Sequence, residues 1–302
     1  MAITVLLSTA FLSEYLQWWL SSVPFLPVWF LWLSFTSERG FLGELLAPEW
    51  TESMLSMNGL QQRMVFNTAM FATTFSFAFA LFTFVRVFRP DLKYNQKSPA
   101  DTFIAAEAAQ CAAGIAVLSV WQVAVAEARH QQSGGVMSPT ATPSMLEVLQ
   151  WLTLVGLWSD SHFYLTHRLL HTKCLYTWVH KVHHKSFNTD PFSGLSMHSI
   201  EHIVYFSALL PCVHPSVPGF VVVLQSAALA IAPLPGHMAV WPFETHHPQH
   251  HAEFNYNYGS SPLWDEIMGT TYNEYTERKH KSSSDKARAA EAGRQRKVAM
   301  AS

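Results

Sequence analysis

Charge is scarce in this chain of 302 residues: 13% are Asp, Glu, Lys or Arg and 49% are hydrophobic. An ordinary soluble domain carries roughly 25% charged residues, so the deficit points away from a soluble protein and toward a membrane. Cysteine is scarce as well. Cys111, Cys174 and Cys212 are scattered, two of them in apolar runs, so neither a disulfide framework nor a thiolate metal site is indicated. The first residues, MAITVLL, lack the basic start that a cleaved secretory signal needs. The last, RKVAMAS, lack a KDEL-type or dilysine-like retrieval address. With a formal net charge of −2, nucleic acid is not an expected partner.

What the chain has instead is long uncharged runs. Met64 to Val85 has none of the four charged residue types and is flanked by Arg63 and Arg86, long enough to cross a hydrocarbon core of roughly 30 Å. Leu16 to Thr36 and Ala108 to Ala126 are two further expected spans, and Met145 to Trp158 is a shorter one that leads into the first histidines. His202 to Phe243 is also uncharged, but Pro211, Pro215, Pro218, Pro233 and Pro235 exclude a straight helix, so a helical hairpin dipping into the bilayer is expected there. The fold class read from these runs is an all-α integral membrane protein with about four transmembrane helices and a helical hairpin. The expected domains are a transmembrane region over 1–145, a catalytic domain over 146–275 and a basic disordered tail over 276–302.

Lys and Arg mark the cytoplasmic side of a membrane. Arg86, Arg89, Lys93 and Lys97 lie between the second and third runs, whereas Glu38, Glu44, Glu49 and Glu52 follow the first. Counting crossings from there puts His162 to His202 at the cytosolic face, to which a hairpin over His202 to Phe243 returns the chain, and the basic tail from Arg278 also suits the cytosol. The hairpin also lets His246 to His251 meet the earlier histidines on that face.

Fourteen of the 16 histidines lie between His162 and His251. His167 and His171 are four apart in HRLLH; His180, His183 and His184 form HKVHH, and His247, His250 and His251 repeat that pattern in HPQHH. On a helix such positions share one face. Neutral imidazole is the commonest metal ligand, and these eight donors exceed one tetrahedral site, which implies two metals. For two redox metals beside a lipid, the chemistry most in need of them is oxygen activation against an unactivated C–H bond.

The ordered series DSHFYLTHRLLH, HKVHHKS, GLSMHSIEH, PLPGH, HPQHHAEFNYNYG and WDEIMGT resembles the membrane fatty acid hydroxylase and sterol desaturase superfamily over roughly Trp151 to Thr271. That resemblance implies a non-haem di-iron oxidoreductase of the endoplasmic reticulum that uses O2 and takes electrons from NAD(P)H through cytochrome b5 and its reductase. By position it makes His167, His171, His180, His183, His184, His247, His250 and His251 ligands and adds His237 in PLPGH. It also brings in His198 and His202 as first- or second-sphere residues. Asp160, Asn257 and Asp265 fall on family positions and are expected to support the di-iron centre, by accepting an imidazole N–H or by building a turn. Ser199 departs from the family's usual Pro, and PGHMAVW lacks the Gly that commonly follows the isolated histidine. FNYNYG is similar to sterol C5 desaturases, so a sterol is the favoured substrate, with a fatty acyl or sphingolipid hydroxylase as the alternative.

Two readings of another class compete. HSIEH, residues 198–202, spells the HxxEH of inverted zinc peptidases, with Glu201 as the base and Glu274 or Glu277 as a third ligand. A metal transporter is the other, although its histidines belong in the spans or in a low-complexity loop.

Overall fold

The computed structural model describes residues 59–93, 101–133, 144–214, 216–240 and 246–273, with Thr276 and Ser284. The run Leu16 to Thr36, the acidic loop after it and the tail from Arg278, Ser284 apart, lie outside the described residues. Among the described residues the protein is helical, without a strand; one isolated antiparallel bridge joins Lys93 to Val240.

Two long helices come first, α1 (Gly59–Phe88, 30 residues) and α2 (Asp101–Ser133, 33 residues). The run Met64 to Val85 lies inside α1. Phe75, Ala78, Phe82 and Val85 recur at helical spacing and bury against Cys111, Ile115 and Leu118 of α2. The outward faces are apolar too: Phe77, Phe84 and Val120 are each about half exposed. A helix that is hydrophobic all round suits lipid. Among the described residues, Ala105–Arg129 is long and apolar enough to span a membrane, with mean hydropathy 1.6, while Phe75–Phe88 and Ser199–Val213 are shorter apolar segments.

Glu107 and Arg129 of α2 turn inward, toward protein. Glu107 accepts from Ser186 Oγ and, at 3.1 Å, from Ser193 Oγ. Arg129 donates to the carbonyls of Cys212 (2.8 Å), His214 (2.9 Å) and Val217 (2.8 Å). Buried charge is tolerated at such depth only when it is partnered in this way.

Helix α3 (Met145–Leu170) opens on a capping box, in which Glu147 N donates to Ser144 Oγ at 3.3 Å and Ser144 N donates to Glu147 Oε2 at 2.8 Å. Short elements follow: α4 (Lys173–Trp178), a 3-10 turn over His180–Lys185 and another over Pro191–Leu195. Helix α5 (Ser199–Phe206) continues as a 3-10 turn through Val213 containing Pro211, and α6 (Gly219–Ile231) returns against it. Prolines therefore bend the uncharged run from His202 into separate short helices, as its sequence requires. Helices α7 (Pro233–His237), α8 (His246–Glu253) and α9 (Pro262–Met268) complete the fold. Close approach of α2 to α5 depends on Gly114, where a Cβ would lie 2.6 Å from His202 Nε2.

Candidate metal centre

Nine imidazoles from α3, the 180–185 turn, α7 and α8 converge at the ends of these helices. His167, His171, His180, His184 and His250 form one set, and His183, His237, His247 and His251 a second; within each set the ligand atoms lie within 4.8 Å of one another. All but His171 are buried. In the first set His171, His180 and His184 bring their Nε2 atoms to 3.0–3.1 Å of each other, and His250 Nε2 lies 3.2 Å from His184 Nε2. In the second, His251 Nε2 is 3.1 Å from both His183 Nε2 and His237 Nε2.

These separations identify what the donors fit. Nitrogens held at about 2.1 Å from a metal and near right angles to one another lie about 3.0 Å apart. Five donors in one set exceed a tetrahedral ion and suit a metal of higher coordination. The tautomers agree. Nδ1 of His167, His183, His237, His250 and His251 faces the backbone carbonyls of Tyr258 (2.6 Å), Ser196 (3.2 Å), Pro233 (2.8 Å), Tyr256 (2.6 Å) and Ser186 (3.0 Å). Nδ1 of His180 faces the carboxylate of Glu201 at 2.7 Å. Because carbonyl and carboxylate oxygens only accept, the proton sits on Nδ1 in each and Nε2 presents a lone pair. Lone pairs crowded together at these distances repel unless a cation lies among them. His167 Nε2 is buried without a protein partner among the described residues, as a ligand atom awaiting a metal would be.

The two HxxHH segments divide their histidines between the sets. His180 and His184 join the first set and His183 the second; His247 and His251 join the second and His250 the first. Positions i+3 and i+4 diverge by about 100° around a helix, so one turn can serve two centres. The shared single face expected from the spacing is thus a face that straddles both.

Sequence-predicted supporting residues act on the loop after α8. Asp160 on α3 accepts from Ser260 Oγ (2.7 Å), Ser261 N (3.0 Å) and Ser261 Oγ (2.7 Å). Asp265 on α9 accepts from Tyr258 N (2.9 Å), Gly259 N (2.6 Å), Thr270 Oγ1 (2.6 Å) and His246 Nε2 (3.1 Å). Asn257, left-handed at φ 56°, donates to His246 O and Gln249 Oε1 and accepts from Tyr272 N. The three fix the turn that presents the carbonyls of Tyr256 and Tyr258 to His250 and His167.

His198 and His202 fall in neither set. His198 is the N-cap of α5, its Nδ1 accepting from Ile200 N at 3.1 Å. His202 Nε2 donates to Leu195 O at 3.0 Å. Between them, Glu201 is fully buried against His180, a partnership that the peptidase-like spelling concealed. Glu201→Gln keeps an acceptor for His180 but replaces the carboxyl by an amide. Metal affinity of the five-histidine set is expected to fall about 10–100-fold, measured by chelator competition; an unchanged affinity contradicts the role.

Burial, reinforced by neighbouring imidazoles, pushes His180 and His184 well below the usual histidine range, and burial pushes His183 down to about 4. Between about pH 6.5 and about pH 4 the unfolded chain takes up protons that the folded cluster refuses. The metal-free protein is therefore expected to be fully stable above that window and to lose stability as pH falls through it. Thermal unfolding of chelator-stripped protein near neutrality and at about pH 5 checks this, and equal midpoints contradict it.

A cavity of about 170 Å³ reaches the second set, its wall including His183, His237 and His247. Apart from these and a few polar side chains near Ser159 and His162, it is lined by apolar groups such as Phe163, Met197 and Tyr205.

The fatty acid hydroxylase family model matches residues 152–270. Among curated proteins, the chain is 35% identical over 129 residues to human fatty acid hydroxylase domain-containing protein 2, covering 39% of this chain and 38% of that one. It is 27% identical over 140 residues to a Delta(7)-sterol 5(6)-desaturase of Candida glabrata, covering 41% and 36%. Rattus norvegicus methylsterol monooxygenase 1 is 29% identical over 139 residues, covering 40% and 47%. The chain thus spans less than half the length of the relatives it matches. No solved structure matches it. All nine converging histidines fall inside the matched segment. Over residues 152–270, then, the chain is similar to the fatty acid hydroxylase family.

Proposed function

We propose that the two histidine sets hold two iron ions and that the protein is a membrane-bound, O2-dependent oxidase of a lipid, with a sterol as its favoured substrate. The observation that carries this reading is the convergence of nine imidazoles in two sets, six of them with Nδ1 held by an acceptor so that Nε2 presents its lone pair, one set opening on an apolar cavity. The names of the relatives, a sterol desaturase and a methylsterol monooxygenase, support a sterol over a fatty acyl chain. Two irons bound there would supply redox chemistry for attack on an unactivated C–H bond.

The chain's own residues do the positioning. Carbonyls of Tyr256, Tyr258, Ser196 and Ser186 hold the imidazoles in one tautomer, and the Glu201 carboxyl orients His180 in the same way. Phe163 stacks on Tyr205 at 5.0 Å and lies 5.6 Å from His247, helping to keep water from the second set. His183, His237 and His247 reach the cavity, so a substrate carbon enters on that side.

In this proposal the domain 146–275 faces the cytosol of the endoplasmic reticulum, anchored by about four spans, with cytochrome b5 and its reductase as electron donors. His198 and His202, outside both sets, would serve as structural neighbours. The peptidase alternative needs His198 and His202 to converge, which their placement does not provide. Iron-loaded protein supplied with reductant is expected to consume O2 when given sterols and to yield an alkene or an alcohol. Hydrolysis without O2 uptake contradicts the proposal.

A further inference from the structure

His162 belongs to neither metal set, yet it lines the cavity together with Ser159, one turn earlier on α3. Its hydrogen bonding fixes what it can offer. Ser207 Oγ donates its single hydrogen to Val204 O at 2.6 Å. The 2.9 Å contact between Ser207 Oγ and His162 Nε2 is therefore donated by the imidazole. In a neutral ring the other nitrogen, Nδ1, then carries a lone pair. An apolar wall favours the neutral ring, since a buried cation would be costly. Ser159 is similarly committed: its hydrogen goes to Val155 O at 2.7 Å or to Gln225 Oε1 at 2.9 Å. Both residues line the cavity, and neither side chain has a hydrogen left to donate there.

Such a wall selects its ligand by chemistry. A carboxylate, an ester carbonyl or an ether oxygen brings only lone pairs and is repelled, whereas an alcohol brings the missing hydrogen. We propose that His162, oriented by Ser207 and assisted by Ser159, is the anchor for the hydroxyl of a lipid alcohol bound in this cavity. The assignment rests on the proposed lipid oxidation and narrows its substrate. His162 precedes His167 by five residues, about 7.5 Å along the helix axis, and the His167 ring lies 5.3 Å from that of His247. Oxidation is therefore directed to a carbon a few bonds from the anchored hydroxyl.

The test uses the purified, detergent-solubilised protein and displacement of tritiated cholest-7-en-3β-ol by the unlabelled alcohol or by its 3-methyl ether, which lacks the donor. Wild type is expected to bind the alcohol about 5-fold more tightly than the ether, as one neutral hydrogen bond would give. His162→Phe is expected to bind the two alike, while His162→Gln, which keeps a donor for Ser207 and an acceptor for the ligand, retains the preference. Equal affinities in wild type, or an undiminished preference in His162→Phe, overturn the assignment. So does a wild type that binds neither sterol. Iron counted on the same samples separates this inference from the reading beneath it. An iron-loaded oxidase that does not tell alcohol from ether removes the anchor alone; an iron-free protein that does tell them apart removes the oxidase and keeps the anchor.

Discussion

His183→Ala and His250→Ala are each expected to abolish turnover while leaving the membrane topology intact. The two residues belong to different sets, so the variants probe the two sites independently. His250 Nε2 sits 3.2 Å from His184 Nε2 and its Nδ1 is held by Tyr256 O; His183 Nε2 sits 3.1 Å from His251 Nε2 and its Nδ1 is held by Ser196 O. Removing either ring deletes a donor that the fold has oriented in advance, and no neighbouring side chain can swing into a buried, close-packed cluster to replace it. Each variant should lose metal chiefly from its own set. Substrate oxidation and metal content, measured on the same preparations, check this, and full activity in either variant removes that histidine from the ligand set.

Asp265→Ala is expected to have the largest effect on stability. The carboxylate is fully buried and accepts from two backbone N–H groups, the Thr270 hydroxyl and the His246 ring. Truncation strands those donors in the interior at a cost of roughly 3 kcal/mol or more, a large share of the roughly 5–15 kcal/mol that holds a domain together. A fall of roughly 5–10 °C in the melting midpoint follows. The loop it pins also presents Tyr258 O to His167 and Tyr256 O to His250, so metal should be retained less well at temperatures where the protein is still folded. Asp265→Asn, which keeps one acceptor oxygen, is expected to lie between. A variant as stable as wild type would show that the backbone of 258–259 holds its shape without the carboxylate.

Eight of the nine converging histidines were legible in the sequence because imidazoles at i, i+3 and i+4 are unusual outside metal sites, and HKVHH and HPQHH repeat that pattern beside the i, i+4 pair of HRLLH; His237 was indicated only by the family resemblance. How the nine divide was not legible. HKVHH suggests three ligands on one face, but its 3-10 turn sends His183 to one set and its neighbours to the other. HSIEH has the same four-residue interval as HRLLH, yet His198 stands before the helix begins, with ψ 145°, and so does not share the face of His202. Spacing reports a helical face only where the backbone is already helical, and a cap residue is not. Glu201 was visible as a base candidate and its partner was hidden, because His180 lies 21 residues away. His162 carried no signal at all: its tautomer is set by Ser207, 45 residues distant, through a hydrogen bond that no local pattern records. Of the long uncharged runs, Ala108 to Ala126 lies inside the helix Ala105–Arg129, which is long and apolar enough to cross a membrane, since lack of charge over such a length leaves little alternative to a buried or lipid-facing helix. Bending of the run after His202 was equally legible, from its prolines.

The most direct test is elemental analysis of the purified, detergent-solubilised protein, wild type beside His183→Ala. Two sets of converging lone pairs predict about two irons per chain, falling in the variant. A single zinc that survives His183→Ala and is lost in His198→Ala would contradict the account, because it would place the metal on the residues that the fold sets apart from both histidine sets.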